Sequence, residues 1–416
     1  MKNNLLIVTY YWPPSGGSGV QRWINLSNEL TNLGWNVSIL TAKNANYDQI
    51  DNSLSKSINK KIKVLKVPIF EPARFFKKTN NKPNNSNNLL KKLILWIRAN
   101  FFFPDSRMFW IKKASRFAID YIKNNNINCV ITTAPPFSTH LIGLKIKTKT
   151  NIKWISDFRD PWSSFFQFKL MPINFYLKNK HRKFEQKCIV NSDCVITTSP
   201  SLTKIYSKKN INSHTITNGF NSFIEKTNDN KFTLVYSGLM KSVQNPKNLW
   251  KVLHEICIEN TEFKKDFSLK LIGDIDHDIL FSKDLDKIKK NVQFQPYLDK
   301  SQLDNEVSKA RVLILSSVNM NNSGLIIPGK LFYYFSFKRP VIGFCSEDDD
   351  TAKIINKTKS GKVFDYIETE KLKNYILELY INFKTNKSNF NPVNLKNYNY
   401  TELSKDLNII LNKTIY

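Results

Sequence analysis

Three stretches of this 416-residue chain gather residue types that can grip an anion or steer a hydroxyl. The first is Trp12-Pro13-Pro14-Ser15-Gly16-Gly17-Ser18-Gly19-Val20-Gln21-Arg22, whose glycines let backbone approach a ligand while the start of the next helix faces negative charge. The second, Trp154-Ile155-Ser156-Asp157-Phe158-Arg159-Asp160-Pro161-Trp162, ends an apolar run with two carboxylates and a guanidinium before a proline stop. Such a cluster can orient hydroxyls or tune a base. The third, Ser323-Gly324-Leu325-Ile326-Ile327-Pro328-Gly329-Lys330-Leu331-Phe332-Tyr333-Tyr334, is a loop entering a helix with Lys330 in the first turn. The helix dipole disfavours a cation there, and a phosphate shared by amides and ammonium would explain the placement. Each stretch also has a plainer reading: a strand-to-helix turn, an Arg159–Asp160 pair pinning a loop, and a lysine reaching solvent.

Two other acidic clusters invite a metal reading and do not sustain it. Asp274-Ile275-Asp276-His277-Asp278 has D-x-D spacing but follows Leu271-Ile272-Gly273 deep in the second half, and Glu347-Asp348-Asp349-Asp350 reads as a solvated turn and helix start. A nicotinamide cofactor also loses support, because G-x-G-x-x-G spacing is absent and no acidic residue closes the second strand at Thr41.

The elements that must position these residues alternate strand and helix. Residues 5–9 read as a strand and 20–33 as a helix; 37–40, 129–133 and 154–157 read as strands, with a helix at 137–147. Apolar runs without polar alternation belong in a parallel sheet covered on both faces. A second series starts after the polar stretch 225–231, taken as a linker, with strands at 232–236, 269–272, 292–294, 312–315 and 341–344 and helices from about 246 and over 330–337. The predicted architecture is α/β, two doubly wound domains, 1–220 and 221–400, followed by an amphipathic C-terminal helix within 401–416 that crosses back to the first domain or packs elsewhere. Ligands of doubly wound domains bind beyond the carboxyl ends of the strands, so a crevice there is the expected active site.

Composition narrows the partners. The net charge is +29, from 63 Lys plus Arg against 34 Asp plus Glu. That invites nucleic acid, anionic lipid or phosphorylated substrates. The lysines are spread along the chain, however, and compositional drift explains as much; no helix-turn-helix, zinc finger or RNA-stacking motif supports nucleic acid. Five cysteines without C-x-x-C spacing read as reduced, buried thiols. The first strand follows Met1 almost directly, leaving no signal-peptide h-region, and no run reaches the roughly 18 apolar residues of a spanning helix. A cytoplasmic protein is the expectation.

Taken together, the three stretches, with Thr132-Thr133-Ala134-Pro135-Pro136, Asn218-Gly219 and Tyr236-Ser237-Gly238, resemble bacterial family 4 glycosyltransferases, retaining GT-B enzymes of surface-polysaccharide assembly. The resemblance spans nearly the whole chain. It implies transfer of a sugar from a nucleotide-sugar donor, of UDP or GDP type, to a glycan or lipid-linked acceptor, without a metal or other cofactor. It implies a donor diphosphate near Lys330, Gly324, Leu325 and Gly17-Ser18-Gly19, with Lys241 the nearest cation after the Gly238 strand, and an acceptor on the first domain. Tyr333 stands where the family usually has a ribose-binding Glu, and Asp157 where many members carry a His. Asp157, Arg159, Asp160 and His140 are therefore the catalytic candidates, His140 having a packing role as its other reading. A GT-B-shaped nucleotide-sugar epimerase and a catalytically silent binding or scaffold protein are the alternatives.

Residues 89–103, Leu-Leu-Lys-Lys-Leu-Ile-Leu-Trp-Ile-Arg-Ala-Asn-Phe-Phe-Phe, interleave apolar, aromatic and basic side chains. They suit the interface of an anionic membrane, such as the inner face of the plasma membrane, or the inner side of a packed helix.

Overall fold

The computed structural model describes residues 3–72, 88–164, 168, 171–227, 230–320, 323–387 and 390–416. It divides into two compact units, Met1–Thr217 with Tyr400–Tyr416, and Asn218–Asn399.

Unit 1 is built on seven parallel strands: β1 (Asn4–Val8), β2 (Asn36–Lys43), β3 (Lys63–Pro68), β4 (Cys129–Ala134), β5 (Lys153–Phe158), β6 (Cys194–Thr197) and β7 (Ser213–Thr215), in the order β3-β2-β1-β4-β5-β6-β7. Among the described residues up to Thr217, the helices of seven or more residues are α1 (Ser18–Asn32), α2 (Asn88–Phe101), α3 (Trp110–Asn124), α4 (Ser138–Thr150), α5 (Phe175–Asn191) and α6 (Pro200–Ser207). Successive side chains of a strand face opposite ways, so an all-apolar strand must be covered twice. In β1, Leu5 and Ile7 face the core under α1, while Leu6 and Val8 face the one under α3 and α4.

Unit 2 repeats the plan with β8 (Phe232–Ser237), β9 (Phe267–Ile272), β10 (Val292–Gln295), β11 (Val312–Ser316), β12 (Val341–Phe344) and β13 (Gly361–Phe364), ordered β10-β9-β8-β11-β12-β13 and all parallel. Its longer helices are α7 (Lys247–Glu259), α8 (Lys300–Ser308), α9 (Gly329–Phe335), α10 (Asp350–Thr358) and α11 (Glu370–Lys384). Leu234 and Tyr236 face one core and Val235 the other.

The polar stretch 225–231 is not where the chain changes units. Phe220 is buried in a unit 2 core with Phe223 and Ile224 packed against it, and the Ile224 amide donates to Ser336 O at 2.8 Å. The chain passes into unit 2 at Thr217–Asn218 and returns at Asn399–Tyr400. The last helix, α12 (Tyr400–Ile415), packs on α1 through Leu403, Leu407, Ile410 and Leu411, and Trp35 Nε1 donates to Asn408 Oδ1 at 2.8 Å.

In both sheets the strand order reverses at the centre, between β1 and β4 and between β8 and β11. Loops leaving the carboxyl ends of those strands run to opposite faces and open a crevice, the usual ligand site of such sheets. Two of the three motifs, residues 12–22 and 154–162, leave β1 and β5; the third follows β11.

Candidate functional site

In unit 1 the glycine loop, the end of β4 and the end of β5 meet. Gly17 caps α1 with φ +97°, a backbone conformation that costs a residue with a Cβ. One turn on, a Cβ at Gly19 would lie 1.8 Å from Arg159 Nη1, so the absence of a side chain there makes room for the guanidinium. Arg159 gives its guanidinium to backbone carbonyls, those of Ala134 and Pro135, and its own carbonyl accepts from Thr198 Oγ1 at 2.6 Å. Burial pushes its pKa down, opposed by the Asp160 and Asp157 carboxylates. Ser18 opens α1.

Asp157 is wholly enclosed. Arg22 Nη2 donates to Oδ1 at 3.0 Å, and Trp23 Nε1 and Thr133 Oγ1 donate to Oδ2 at 2.7 and 2.8 Å. Arg22 is equally buried and also holds the Thr217 carbonyl at 2.7 Å, at the last residue before the chain leaves the unit. Through these bonds the carboxylate ties the start of α1 to the ends of β4 and β5. His140 is buried too. Its Nδ1 bonds Thr132 Oγ1 at 2.8 Å, its ring lies 4.1 Å from Phe158, and its Nε2 has no hydrogen-bond partner among the described residues. Burial pushes its pKa down to about 3, so the imidazole is neutral.

Asp160 sits differently. It lines a cavity of about 470 Å³ with Tyr11, Pro135, Pro136 and Trp162, and among the described residues it forms no hydrogen bond or ion pair, including with Arg159. Burial raises its pKa while the Arg159 guanidinium lowers it.

In unit 2 the ends of β8 and β9 come close through two glycines of positive φ: the Gly238 amide donates to Ile272 O at 2.8 Å, and a Cβ at Gly273 would strike Gly238 O at 2.6 Å. Lys330 reaches this point from α9. Its Nζ donates to the Tyr236 hydroxyl and to Leu239 O, lies 3.9 Å from the Tyr236 ring centroid, and would be 3.5 Å from a Cβ at Gly238. The side chain is half-buried and no carboxylate among the described residues pairs with it; burial pushes its pKa down to about 7. An ammonium held weakly charged beside strand-end backbone is suited to receive an anion.

The other donor-side candidates have protein partners. Lys241 pairs with Asp276 at 2.9 Å and Asp274 at 3.5 Å, which also accounts for the D-x-D carboxylates. Tyr333 donates to Asp304 Oδ1 at 2.7 Å and carries Lys300 4.9 Å over its ring, so a carboxylate stands next to the phenol. Gly324 opens space for Asp349: a Cβ would meet its Oδ1 at 2.0 Å, and Leu325 lies in the same short turn. Burial raises the Asp349 carboxyl.

No family model and no curated protein matches the chain. Its three-dimensional structure does match solved ones over nearly the full length. TarM superposes with a TM-score of 0.63 at 14% identity, covering 99% of each chain. The chain has the GT-B fold. WaaG, a glycosyltransferase involved in lipopolysaccharide biosynthesis, gives 0.56 at 10% identity over 99% of this chain and 98% of its own. A Listeria monocytogenes protein assigned as a UDP-N-acetylglucosamine 2-epimerase gives 0.58 at 9% identity over 98% and 95%. A S. aureus TarM variant has been solved with Fondaparinux, alpha-GlcNAc-glycerol and UDP.

Within unit 1, then, Gly17, Ser18, Gly19, Asp157, Arg159 and Asp160 share one end of the sheet, with His140 packed behind Phe158. Within unit 2, Lys330 joins the β8 end, whereas Lys241 and Tyr333 are each taken by neighbouring acids. Reading the sequence did not identify Arg22 and Trp23 as the holders of Asp157, nor Asp304 and Asp349. The buried side of α1 was a usable signal for the first pair: Arg22 is fully buried next to Trp23 and near Val20. The two aspartates carry no such signal.

Proposed function

We propose that the protein is a glycosyltransferase that moves a sugar from a nucleotide-sugar donor, of UDP or GDP type, to a glycan or lipid-linked acceptor of cell-surface polysaccharide, with retention and without a metal ion. Unit 2 holds the donor, its diphosphate meeting Lys330 beside Gly238, and unit 1 holds the acceptor. The observation that carries this reading is the Lys330 ammonium, which has no carboxylate partner among the described residues, at the central strand reversal of a unit in a GT-B chain. Donor diphosphate restores the charge that burial suppresses, and the ammonium then offsets the charge developing on the leaving group.

The unit 1 residues have divided roles in this scheme. Asp157 positions: through Arg22, Trp23 and Thr133 it sets the strand ends that carry Arg159 and Asp160. Asp160, with no hydrogen-bond or ion-pair partner among the described residues, is the carboxylate assigned to an acceptor hydroxyl. His140, neutral and enclosed, supports Phe158.

The protein works in the cytoplasm and touches an anionic membrane through α2 and the phenylalanines that follow. Among the described residues no helix is long and apolar enough to cross a membrane, while α2 leaves residues 92–98 exposed, including Leu93, Trp96 and Ile97. Thermal-shift screening with UDP-, GDP- and dTDP-sugars tests the donor reading. At least one should raise Tm, and Lys330→Ala should abolish that rise; stabilisation undiminished in the variant contradicts the assigned diphosphate contact.

A further inference from the structure

Unit 2 carries a second gathering of cations, at the opposite edge of its sheet from Lys330. A cavity of about 150 Å³ opens where β8, β11 and β12 begin, between Phe232, Val312 and Pro340 and the last turn of α11. Arg339, Arg311, Lys226 and Lys387 line it, and among the described residues no acidic side chain does. The length of β8, at about 3.3 Å per residue, puts this edge about 17 Å from the Gly238 turn. The cluster is therefore separate from the proposed donor site.

Gathering like charges in a recess is costly unless something of opposite sign joins them. Arg339 is 9% exposed, and its Nη2 reaches two backbone carbonyls, Thr227 O and Ser308 O, each at 3.3 Å. Its Nε has no hydrogen-bond partner among the described residues. Burial first, and then the Arg311 charge, push its pKa down to about 10. Lys226 is pushed the same way by burial and by the charges of Arg339, Lys338 and Arg311. Arg311 lies over the Phe383 ring, 5.0 Å from its centroid, which holds the guanidinium against the wall. The acids of this edge are engaged elsewhere. Asp266, just before β9, accepts from Lys384 and from the Tyr380 hydroxyl, and Glu306 pairs with Lys270 and Lys309. Glu225 is exposed and forms no ion pair among the described residues, and Asp229 lies outside them.

We propose that this cavity binds a small phosphate anion, inorganic or esterified, held by the Arg339 and Arg311 guanidiniums with Lys226 at the rim. Planar guanidinium forks match phosphate oxygens in a way that single ammonium groups do not. The space equals about five waters of liquid volume, which suits a phosphate or a short ester of one. Asn382 and Asn386, on the same wall, offer carboxamides to an ester's hydroxyls. The recessed position of Arg339 favours an ion that enters the cavity over a flat bilayer. None of this rests on the sugar-transfer reading. α9 nevertheless serves both places, with Lys330 at its start and Arg339 four residues past its end, so phosphate binding is measured with the donor contact removed.

The probes are inorganic phosphate, pyrophosphate and glycerol 3-phosphate, titrated calorimetrically into the full chain carrying Lys330→Ala, with NaCl holding ionic strength constant. At least one should bind one-to-one and raise Tm above the NaCl control. Added to that background, Lys226→Gln, at the surface, should weaken binding at least about fivefold while leaving the Tm of the anion-free protein unchanged. Arg339→Gln should abolish it. Affinity equal for phosphate and glycerol 3-phosphate supports a free inorganic ion as the source, and tighter binding of the ester supports a phosphorylated metabolite. No binding of any of the three by folded protein, or binding undiminished in both variants, overturns the site. Sedimentation with phosphatidylglycerol vesicles that Lys226→Gln removes, without binding of the small anions, assigns the cluster to a membrane and overturns the small-ligand reading. Loss of nucleotide binding in Lys330→Ala bears on the donor reading alone.

Discussion

Lys330 gives the donor site a proton signature that can be worked out from its surroundings. Burial sets its pKa in the free protein at about 7, against the ordinary lysine value of 10.5. A diphosphate beside the ammonium favours the charged form and lifts that pKa back toward its usual range. Nucleotide binding must then take up protons: about half a proton at pH 7 and about 0.9 at pH 8, the fraction of free protein in which Lys330 is neutral. Affinity weakens by the same linkage, approaching about tenfold per unit above pH 8 and flattening below pH 6. Between pH 7.5 and 8.5 the terminal phosphate of UDP is already ionised, since its pKa is about 6 as for other phosphate esters. Whichever of UDP, GDP or dTDP binds is then titrated calorimetrically at pH 8 in Hepes and in Tris. Proton uptake makes the heat more endothermic in Tris, whose ionisation enthalpy is larger, and any binding heat that Lys330→Met retains at high nucleotide concentration should be the same in both buffers. The linkage has an opposite sign for the free protein. Its folded-state pKa is lowered, so the unfolded chain binds more protons between pH 7 and 10.5 and stability rises with pH across that window. Buffer-independent heats, or proton release, would refute the reasoning.

Asp157→Asn should cost about 3–5 kcal/mol, because it leaves the Arg22 guanidinium buried against a neutral partner, and urea unfolding checks this; a catalytic role alone would leave stability unchanged. Gly19→Ala places a methyl 1.8 Å from Arg159 Nη1, and since the guanidinium can swing away the expected effect is a fall in turnover of at least tenfold with Tm moved by only a few degrees. Turnover should persist in excess EDTA, and loss of activity on chelation would contradict the metal-free scheme. With donor alone the products should show no epimerised sugar nucleotide, because release of an epimer without acceptor would favour the epimerase reading that the shared fold also admits.

The fold was legible in the sequence where apolar runs were long enough to be buried twice. The runs at 5–9 and 129–133 appear as β1 and β4, within a residue or so. Of the edge strands, β10 was read at 292–294, while β3, β7 and β13 escaped. β3, Lys-Val-Leu-Lys-Val-Pro, carries two lysines and is mostly uncovered, and β7, Ser-His-Thr, is held by three residue pairs to β6 with no hydrophobic signal. The site divides along the same line. Gly17, Gly19 and the 157–160 cluster stood out because their residue types answer local needs, a positive φ and a close guanidinium. Asp157's partners are far away in sequence, 135 residues for Arg22 and 24 for Thr133, and no local pattern reports such a pairing. The fate of Tyr333 was equally hidden, since the carboxylate it meets comes from α8, 29 residues earlier.

The most direct measurement is a crystal structure of the protein with UDP, GDP or dTDP, whichever gives the largest thermal shift. The account predicts diphosphate density within about 4 Å of Lys330 Nζ, beside the ends of β8 and β9. Density for the nucleotide elsewhere, with Lys330 still directed at Tyr236 and Leu239, would contradict it.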